Sequence, residues 1–243
     1  TVYCPQKEEE IVGRFSSFLS ENSLQGRHAA SEGHLTFEIE GISAHGMEPE
    51  NGKNAGLYLA SFLNSFILDK QADAYFSFAV KYFWKDSRGK ALGVSYSDDI
   101  TGDLTINVGK MSYTNDKGGK FGLNLRYPVT NDIAKTREKI TAAAENEGFA
   151  LMNFTNSAPH HVDENDFLIQ TLKKVYEERT GEEAELLSIG GGTYARSLKS
   201  GVAFGPLFPG RPDIAHHKDE YMIIDDLLKS AEIYAQAIYE LAK

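Results

Sequence analysis

The sequence predicts an α+β domain, with antiparallel sheets covered by helices on one face, followed by an α/β segment. The first part is indicated by a clean alternation of apolar and polar residues over 34–42, and by two alternating runs on either side of a Gly118-Gly119 turn. Beyond about residue 163, strand patterns alternate with helical patterns, which is typical of α/β structure. A chain of 243 residues is long enough for both parts.

The first 84 residues are predicted to form helices and strands in α+β order. Apolar residues at helical spacing predict an amphipathic helix over 7–21. The run 34–42 predicts one half-buried strand of a strand pair, with Leu35, Phe37 and Ile39 on its inner face. Apolar helical faces predict further helices over 54–68 and 74–84.

A hairpin, a helix and a strand complete the first part. The hairpin is predicted from the inward-facing sets Leu104, Ile106, Val108 and Phe121, Leu123, Leu125. A helix is expected over 131–147, ended by Gly148, and a last strand over 149–156.

After residue 158 the pattern changes, and a domain boundary is predicted near residues 159–162. Asp163 is expected to cap a helix that runs to Thr180 and ends at Gly181. Short strands are predicted over 185–189 and 202–205, and a closing helix follows the loop 206–214, which is rich in Pro and Gly.

The composition of the chain limits the classes of partner and site that it could have. The chain has 25 basic and 35 acidic residues and a formal charge of −10, which disfavours nucleic acid or an anionic membrane as the main partner and favours a small substrate. No apolar run is long enough for a membrane span. The one cysteine, Cys4, excludes an intramolecular disulfide or a Cys-cluster metal site and favours a cytoplasmic address. The chain begins Thr-Val-Tyr-Cys with no initiator Met, so we expect it to be part of something longer.

Four positions carry residues that could take part in binding or catalysis, although each has an ordinary interpretation when taken alone. His45 follows a strand at a glycine-punctuated loop and could polarise a carbonyl oxygen, or be a solvated histidine. Arg126 ends a strand and could hold a carboxylate, or form a surface ion pair. His216 lies in a loop of the kind that holds ligands, but one imidazole cannot bind a catalytic metal alone. A tight turn or an anion site is formed by Gly190, Gly191 and Gly192.

Taken in order, these positions match one family. The matching runs are Ser43-Ala44-His45-Gly46, Gly52-Lys53-Asn54-Ala55, Asn124-Leu125-Arg126-Tyr127-Pro128, Gly190-Gly191-Gly192-Thr193-Tyr194-Ala195-Arg196, and Phe208-Pro209-Gly210 through His216-His217-Lys218-Asp219-Glu220-Tyr221. With these runs the chain resembles the metallo-dipeptidases of the dipeptidase V type (Xaa-His dipeptidases, carnosinase-like). They belong to the wider aminoacylase/carboxypeptidase clan of two-metal hydrolases.

The resemblance implies a role for each position. His216 would be a metal ligand, supported by the motif that contains Glu220, and His45 would stabilise the tetrahedral oxyanion. Arg126 and the glycine run around Gly191 would hold the free carboxylate of a dipeptide, with Arg196 in the same pocket. The family uses two divalent metal ions, zinc or manganese. Residues 1–160 would be a lid domain, ferredoxin-like and built in two halves, and residues 161–243 the C-terminal segment of the α/β catalytic domain.

Much of the family's catalytic machinery is missing from this sequence. The His-x-Asp spacing of His161-Val162-Asp163 is discounted, because it lies at the predicted domain boundary and Asp163 is expected to cap a helix. By resemblance, the family's own His-x-Asp pair, its metal-bridging Asp and the Glu-Glu pair that supplies the general base belong to an N-terminal half that this chain does not match. We therefore expect the chain to be a fragment that does not retain the metals and is inactive by itself. A lid with two halves also predicts a monomer, because the second half takes the place of a partner subunit.

Two alternatives stay open at this point. A deacylase of the same clan, acting on an N-acyl amino acid, would use the same carboxylate clamp. A non-catalytic binding or association module would not need His45, Gly191 and His216 to converge.

Overall fold

The structure is a computed structural model that describes residues 1–3, 7–189, 191–215 and 219–243. The chain divides into two compact units, Thr1–Ala158 and Pro159–Lys243. Each unit is described by itself below.

The first unit begins with a three-stranded antiparallel sheet in the order β1-β3-β2. Its strands are β1 (Val2–Tyr3), β2 (Gln25–Ser31) and β3 (His34–Glu40), and helices α1 (Glu8–Glu21) and α2 (Ala55–Leu63) cover it. The core between them consists of Phe15, Leu35, Phe37, Phe62 and Leu63. The predicted strand pair is confirmed, and Leu35 and Phe37 on its predicted inner face are buried.

The second half of this unit is built around a long hairpin. Strand β6 (Thr105–Thr114) pairs antiparallel with β7 (Gly118–Arg126), with a register shift between Val108 and Lys110. Helices α3 (Lys70–Phe83) and α4 (Ile133–Asn146) supply side chains to the same core, and the short strands β4 (Ser97–Asp98) and β5 (Gly102–Asp103) pair with each other. The predicted hairpin, both helices and the α+β class are confirmed.

The strand predicted over 149–156 is wrong. The segment is extended but irregular, and in the described residues no strand pairs with it. Side-chain contacts hold it instead, because Tyr127 donates a hydrogen bond to Asn156 at 2.7 Å and the Arg137 guanidinium lies over the Phe154 ring at 4.9 Å. An apolar run does not by itself make a strand, since a strand also needs a neighbour for its backbone groups.

The second unit contains α5 (Phe167–Thr180), a 3-10 helix (Tyr194–Ser197) and α6 (Ile224–Ala242). Helices α5 and α6 pack through Leu172, Val175, Ile233 and Ala237. Gly181 ends α5 in the left-handed region, as predicted, with φ of 72°. The predicted cap was wrong by one turn, because Asp166 accepts the Leu168 N–H at 2.8 Å, whereas Asp163 accepts the Asn165 N–H in the preceding turn.

The strands predicted over 185–189 and 202–205 are also wrong. Both segments are irregular, and no strand is present in the parts of 159–243 that the structure describes. Apolar side chains of the first segment remain in solvent, with Leu187 80% and Ile189 58% exposed. A parallel strand requires a neighbouring strand from a distant segment, and the described part of this unit offers none. None of the described helices is long and apolar enough to cross a membrane.

Candidate functional site

The loop that carries His45 connects β3 to α2, and we call residues 41–54 the His45 loop. Its base is closed by a bridge in which Ile42 and Lys53 exchange backbone hydrogen bonds of 3.0 and 2.9 Å. Glycine is required on both sides of this bridge. A Cβ at Gly41 would lie 2.5 Å from the Lys53 carbonyl oxygen, and one at Gly52 would lie 2.5 Å from that of Ile42. The two limbs of the loop approach this closely because neither carries a side chain there.

His45 lies at the exposed tip of this loop. Its backbone carbonyl accepts the Glu48 N–H at 2.9 Å, which closes a turn. Its ring Nδ1 accepts the Met47 N–H at 3.3 Å. In the neutral ring the proton is then on Nε2, because Nδ1 is used as an acceptor. The local fold thus leaves Nε2–H as the outward-facing hydrogen-bond donor of the imidazole.

Arg126 is the last residue of β7 and lies directly opposite Thr105 of β6. Its side chain is half-buried, and its guanidinium forms no ion pair or hydrogen bond with any residue the structure describes. Its Nε and the Thr105 hydroxyl are both buried without a hydrogen-bond partner. A buried polar atom without a partner is costly, and an unpaired guanidinium is costlier.

The His45 loop and the Arg126 end of the hairpin meet along β6. Asn54 caps α2 by accepting the Leu57 N–H at 3.2 Å, and its side-chain amide donates to the Val108 carbonyl at 2.8 Å. A Cβ at Gly46 would lie 3.5 Å from the Asn107 side-chain nitrogen. Alternation places Asn107 on the same face of the hairpin as Thr105 and Arg126. The residue that follows His45 therefore lies beside Asn107, and Arg126 lies opposite Thr105, two residues away on the same strand.

Gly192 of the second unit lies beside Arg196. The Arg196 Nη1 atom would be 2.5 Å from a Cβ on Gly192, so the guanidinium rests on the space that glycine leaves. Gly191 has open space at its Cβ position. Arg196 itself is exposed, on the short 3-10 helix. Gly190, predicted with them, lies outside the described residues.

Comparison with known proteins identifies the family. The model of a peptidase family, "Peptidase family M20/M25/M40", matches residues 7–240. The chain belongs to this peptidase family. The resemblance seen in the sequence is confirmed at the level of the family.

The related peptidases are about twice as long as this chain. A Bacillus subtilis (strain 168) protein named "Putative dipeptidase YtjP" is 50% identical over 237 residues, which are 98% of this chain and 50% of that protein. A Staphylococcus haemolyticus (strain JCSC1435) protein named "Putative dipeptidase SH1171" is 38% identical over 240 residues, 99% of this chain and 51% of that protein. The chain thus spans about half the length of the curated relatives it matches.

The described part of this M20-family chain does not form a metal centre by itself. No three His, Cys, Asp or Glu side chains come together as a metal site among residues 1–3, 7–189, 191–215 and 219–243. His216, the predicted ligand, lies outside these residues, and Glu220 of the same motif is exposed. The His, Cys, Asp and Glu side chains of the described residues therefore do not fit a two-metal site.

Sequence reasoning missed the residues that support His45 and Arg126. Thr105 and Asn107 were not singled out from the sequence, yet they lie beside Arg126 and the His45 loop. The available signal was two polar residues that alternate with Leu104, Ile106 and Val108 where β6 begins opposite Arg126. The ion pair between Glu50 and Arg88 gave no such signal, because 38 residues separate them.

Proposed function

We propose that this chain provides the substrate-carboxylate clamp and the oxyanion donor of a metal-dependent dipeptide hydrolase. The observation that carries the proposal is the half-buried Arg126 guanidinium, which has no anionic partner in the described chain and lies opposite the orphaned Thr105 hydroxyl. The names of the related peptidases supply the substrate class, a dipeptide.

A free carboxylate is the ligand that these groups would recognise. A guanidinium offers a planar fork of N–H donors that matches both oxygens of a carboxylate, and such charge-assisted bonds are stronger than neutral ones. The Thr105 hydroxyl lies at the same end of the hairpin but is shielded from solvent, so the guanidinium itself would make the contact. An exopeptidase needs this contact because the carboxylate marks the end of its substrate.

His45 would act one residue away from the clamp, at the scissile carbonyl. Its Nε2–H donor is directed outward by the Met47 contact to Nδ1. A fixed N–H donor aimed at the carbonyl oxygen stabilises the negative charge that develops there in the transition state. A dipeptide has about one residue, roughly 3.5 Å of chain, between this carbonyl and its carboxylate.

The remaining features of the proposal follow from the family. We propose that residues 1–160 act as a ferredoxin-like lid in two halves and residues 161–243 as the C-terminal segment of the catalytic domain. The compact units 1–158 and 159–243 support this division. Gly190, Gly191, Gly192 and Arg196 would assist in carboxylate binding. Two divalent metal ions, zinc or manganese, would be held largely by residues outside the described chain, with His216 contributing. A cytoplasmic monomer is the proposed state of the whole protein.

The test measures hydrolysis by a full-length protein that carries this chain, with alanyl-alanine, its C-terminal amide and N-acetyl-alanine as substrates. Arg126→Met is expected to raise KM for alanyl-alanine about 10- to 100-fold, the effect of losing a hydrogen bond to a charged group. Arg137→Met, which removes an arginine that lies over Phe154, is the matched control. An Arg126→Met enzyme with unchanged KM would refute the clamp, and hydrolysis of N-acetyl-alanine alone would assign a deacylase instead.

A further inference from the structure

We propose that Glu50 and Arg88 form a positioning pair that holds the His45 loop at one place on strand β6. The catalytic consequence of this pair depends on the proposed function, whereas its effect on the loop does not. Neither residue touches the proposed substrate groups, so both would act through His45.

Glu50 lies in the 3-10 helix Pro49–Asn51, five residues after His45 in the same loop. Both of its carboxylate oxygens are used. Oε2 accepts the Ser87 hydroxyl at 3.1 Å, and Oε1 pairs with Nη2 of Arg88. Arg88 also approaches the Asp103 carboxylate, with 3.8 Å between Nη1 and Oδ2. The tip of the His45 loop is therefore tied to a segment distant in sequence.

The segment that receives Glu50 is itself fixed to the hairpin. The Ser87 carbonyl accepts the N–H of Ile106, a buried β6 residue, at 2.8 Å. The Asp86 carboxylate accepts the Arg88 N–H at 3.1 Å and the Ala91 N–H at 2.8 Å. Ser87 and Arg88 thus present their side chains from a backbone that cannot shift independently of β6.

The Glu50–Arg88 pair restrains the part of the His45 loop that lies away from its base. Lys53 secures the base, where its Nζ donates to the Asn22 and Ser23 carbonyls at 2.8 and 2.9 Å. At the tip, the charged contact to another part of the unit is that of Glu50 with Arg88. An isolated exposed ion pair stabilises little, but Glu50 and Arg88 are only 39% and 32% exposed and belong to a network with Ser87 and Asp103. The network gives the tip a fixed position that the bridge at the base cannot.

The separation of His45 from Arg126 is then a property of this pair. Both residues are positioned relative to β6. The His45 loop is held through Glu50 and the Ser87–Ile106 hydrogen bond, and Arg126 is held through the β6–β7 register. Misplacement of a catalytic group by about 1 Å can reduce rate about 100-fold. Loss of the pair should therefore harm the oxyanion donor and leave the carboxylate clamp intact.

The first test needs no activity and uses the 243-residue chain. Amide hydrogen exchange is measured for Glu50→Gln and Arg88→Gln, with Glu48→Gln as the matched control. Glu48 is in the same loop, and among the described residues its carboxylate accepts only from Asn51 of that loop, at 2.9 Å. We expect the protection factor of the residue-48 amide, which donates to His45 and is corrected for the intrinsic rate of each sequence, to fall at least about 10-fold in Glu50→Gln and Arg88→Gln and to keep its wild-type value in the control. Equal exchange in Glu50→Gln and Glu48→Gln would overturn the proposal.

The second test measures kinetics in the full-length protein. Glu50→Gln is expected to lower kcat for alanyl-alanine at least about 10-fold with KM changed less than about 2-fold, and the reversed pair Glu50→Arg/Arg88→Glu to restore part of kcat. A merely structural role would lower thermal stability without this split. If the wild-type protein hydrolyses no dipeptide, the proposed function fails while the exchange experiment still decides on the pair.

Discussion

The buried Thr105 hydroxyl and Arg126 Nε lower the stability of the fold. Both atoms are cut off from water without a hydrogen-bond partner in the described chain, and they belong to directly opposite residues. A buried hydroxyl without a partner costs about 1–3 kcal/mol. Residues retained at such a cost commonly serve binding.

Thr105→Val tests this cost. The substitution keeps the shape of the side chain and removes the orphaned hydroxyl, so the free energy of unfolding should rise by about 1 kcal/mol in urea denaturation. Thr105→Ser, which keeps the hydroxyl, should show no such gain. A less stable Thr105→Val protein would argue that the hydroxyl is satisfied.

Asp98 holds the turn that follows Arg126. Its carboxylate accepts hydrogen bonds from the backbone and hydroxyl of Thr101, at 2.6 and 3.0 Å, and from those of Thr130, at 3.2 and 2.8 Å. Desolvation alone would raise the pKa of Asp98, but these hydrogen bonds outweigh it and hold the pKa well below its ordinary value.

A depressed pKa predicts a defined pH dependence. The stabilisation from Asp98 is fully present above the unfolded-state pKa of about 4 and is lost as pH falls through the lower folded-state pKa. Asp98→Asn should therefore lower the melting temperature at pH 7, and the difference from wild type should shrink steadily below about pH 4. Asp99→Asn, the neighbouring exposed residue, is the control. A difference that does not vary between pH 7 and pH 2.5 would contradict the assignment.

At the scale of elements, sequence patterns predicted what depends on local contacts and missed what depends on a distant neighbour. Helices α1 and α4 and the β6–β7 hairpin were predicted because their periodicity, caps and turn glycines lie within each segment. The strands predicted over 149–156, 185–189 and 202–205 are wrong because strand formation requires a partner that local sequence does not specify. The same limit applies to the site. His45 and Arg126 follow from motifs, whereas Glu50, Arg88 and Thr105 become visible only when the hairpin is assembled.

Two glycines test the packing of elements. A Cβ at Gly119 of β7 would lie 2.0 Å from Cδ2 of Tyr75, which is buried and stacked on Phe121 with ring centroids 4.4 Å apart. Gly119→Ala should therefore reduce the free energy of unfolding by about 1–3 kcal/mol, the range for an overpacked core. Gly13 of α1 has nothing within 4 Å of its Cβ position, so Gly13→Ala should instead stabilise by about 0.5–1 kcal/mol. Urea denaturation of both variants checks the two signs, and a stable Gly119→Ala protein would show that Tyr75 has room to move.

At the scale of the whole chain, exposed apolar side chains are concentrated in the second unit. Among the residues that the structure describes, 24 large hydrophobic side chains are exposed, of which 15 belong to the second unit and 9 to the first. On α6 these residues include Ile224, Leu227, Leu228 and Ile238, on the side away from Ile233 and Ala237. The first unit therefore exposes fewer large apolar side chains than the second, as expected of a unit that folds independently.

The isolated chain should accordingly bind without catalysing. Arg126 and His45, the residues proposed as carboxylate clamp and oxyanion donor, belong to the first unit, whereas no three metal-ligating side chains come together in the described residues. Two-metal hydrolysis needs such a cluster to activate water. We expect the 243-residue chain, incubated with zinc or manganese, to show no hydrolysis of alanyl-alanine above the metal-only rate. Binding of alanyl-alanine, followed by chemical-shift changes at Arg126, should be abolished by Arg126→Met and by amidation of the substrate. Metal-dependent turnover by the chain alone would show that it carries a complete site and would overturn the division of labour proposed here.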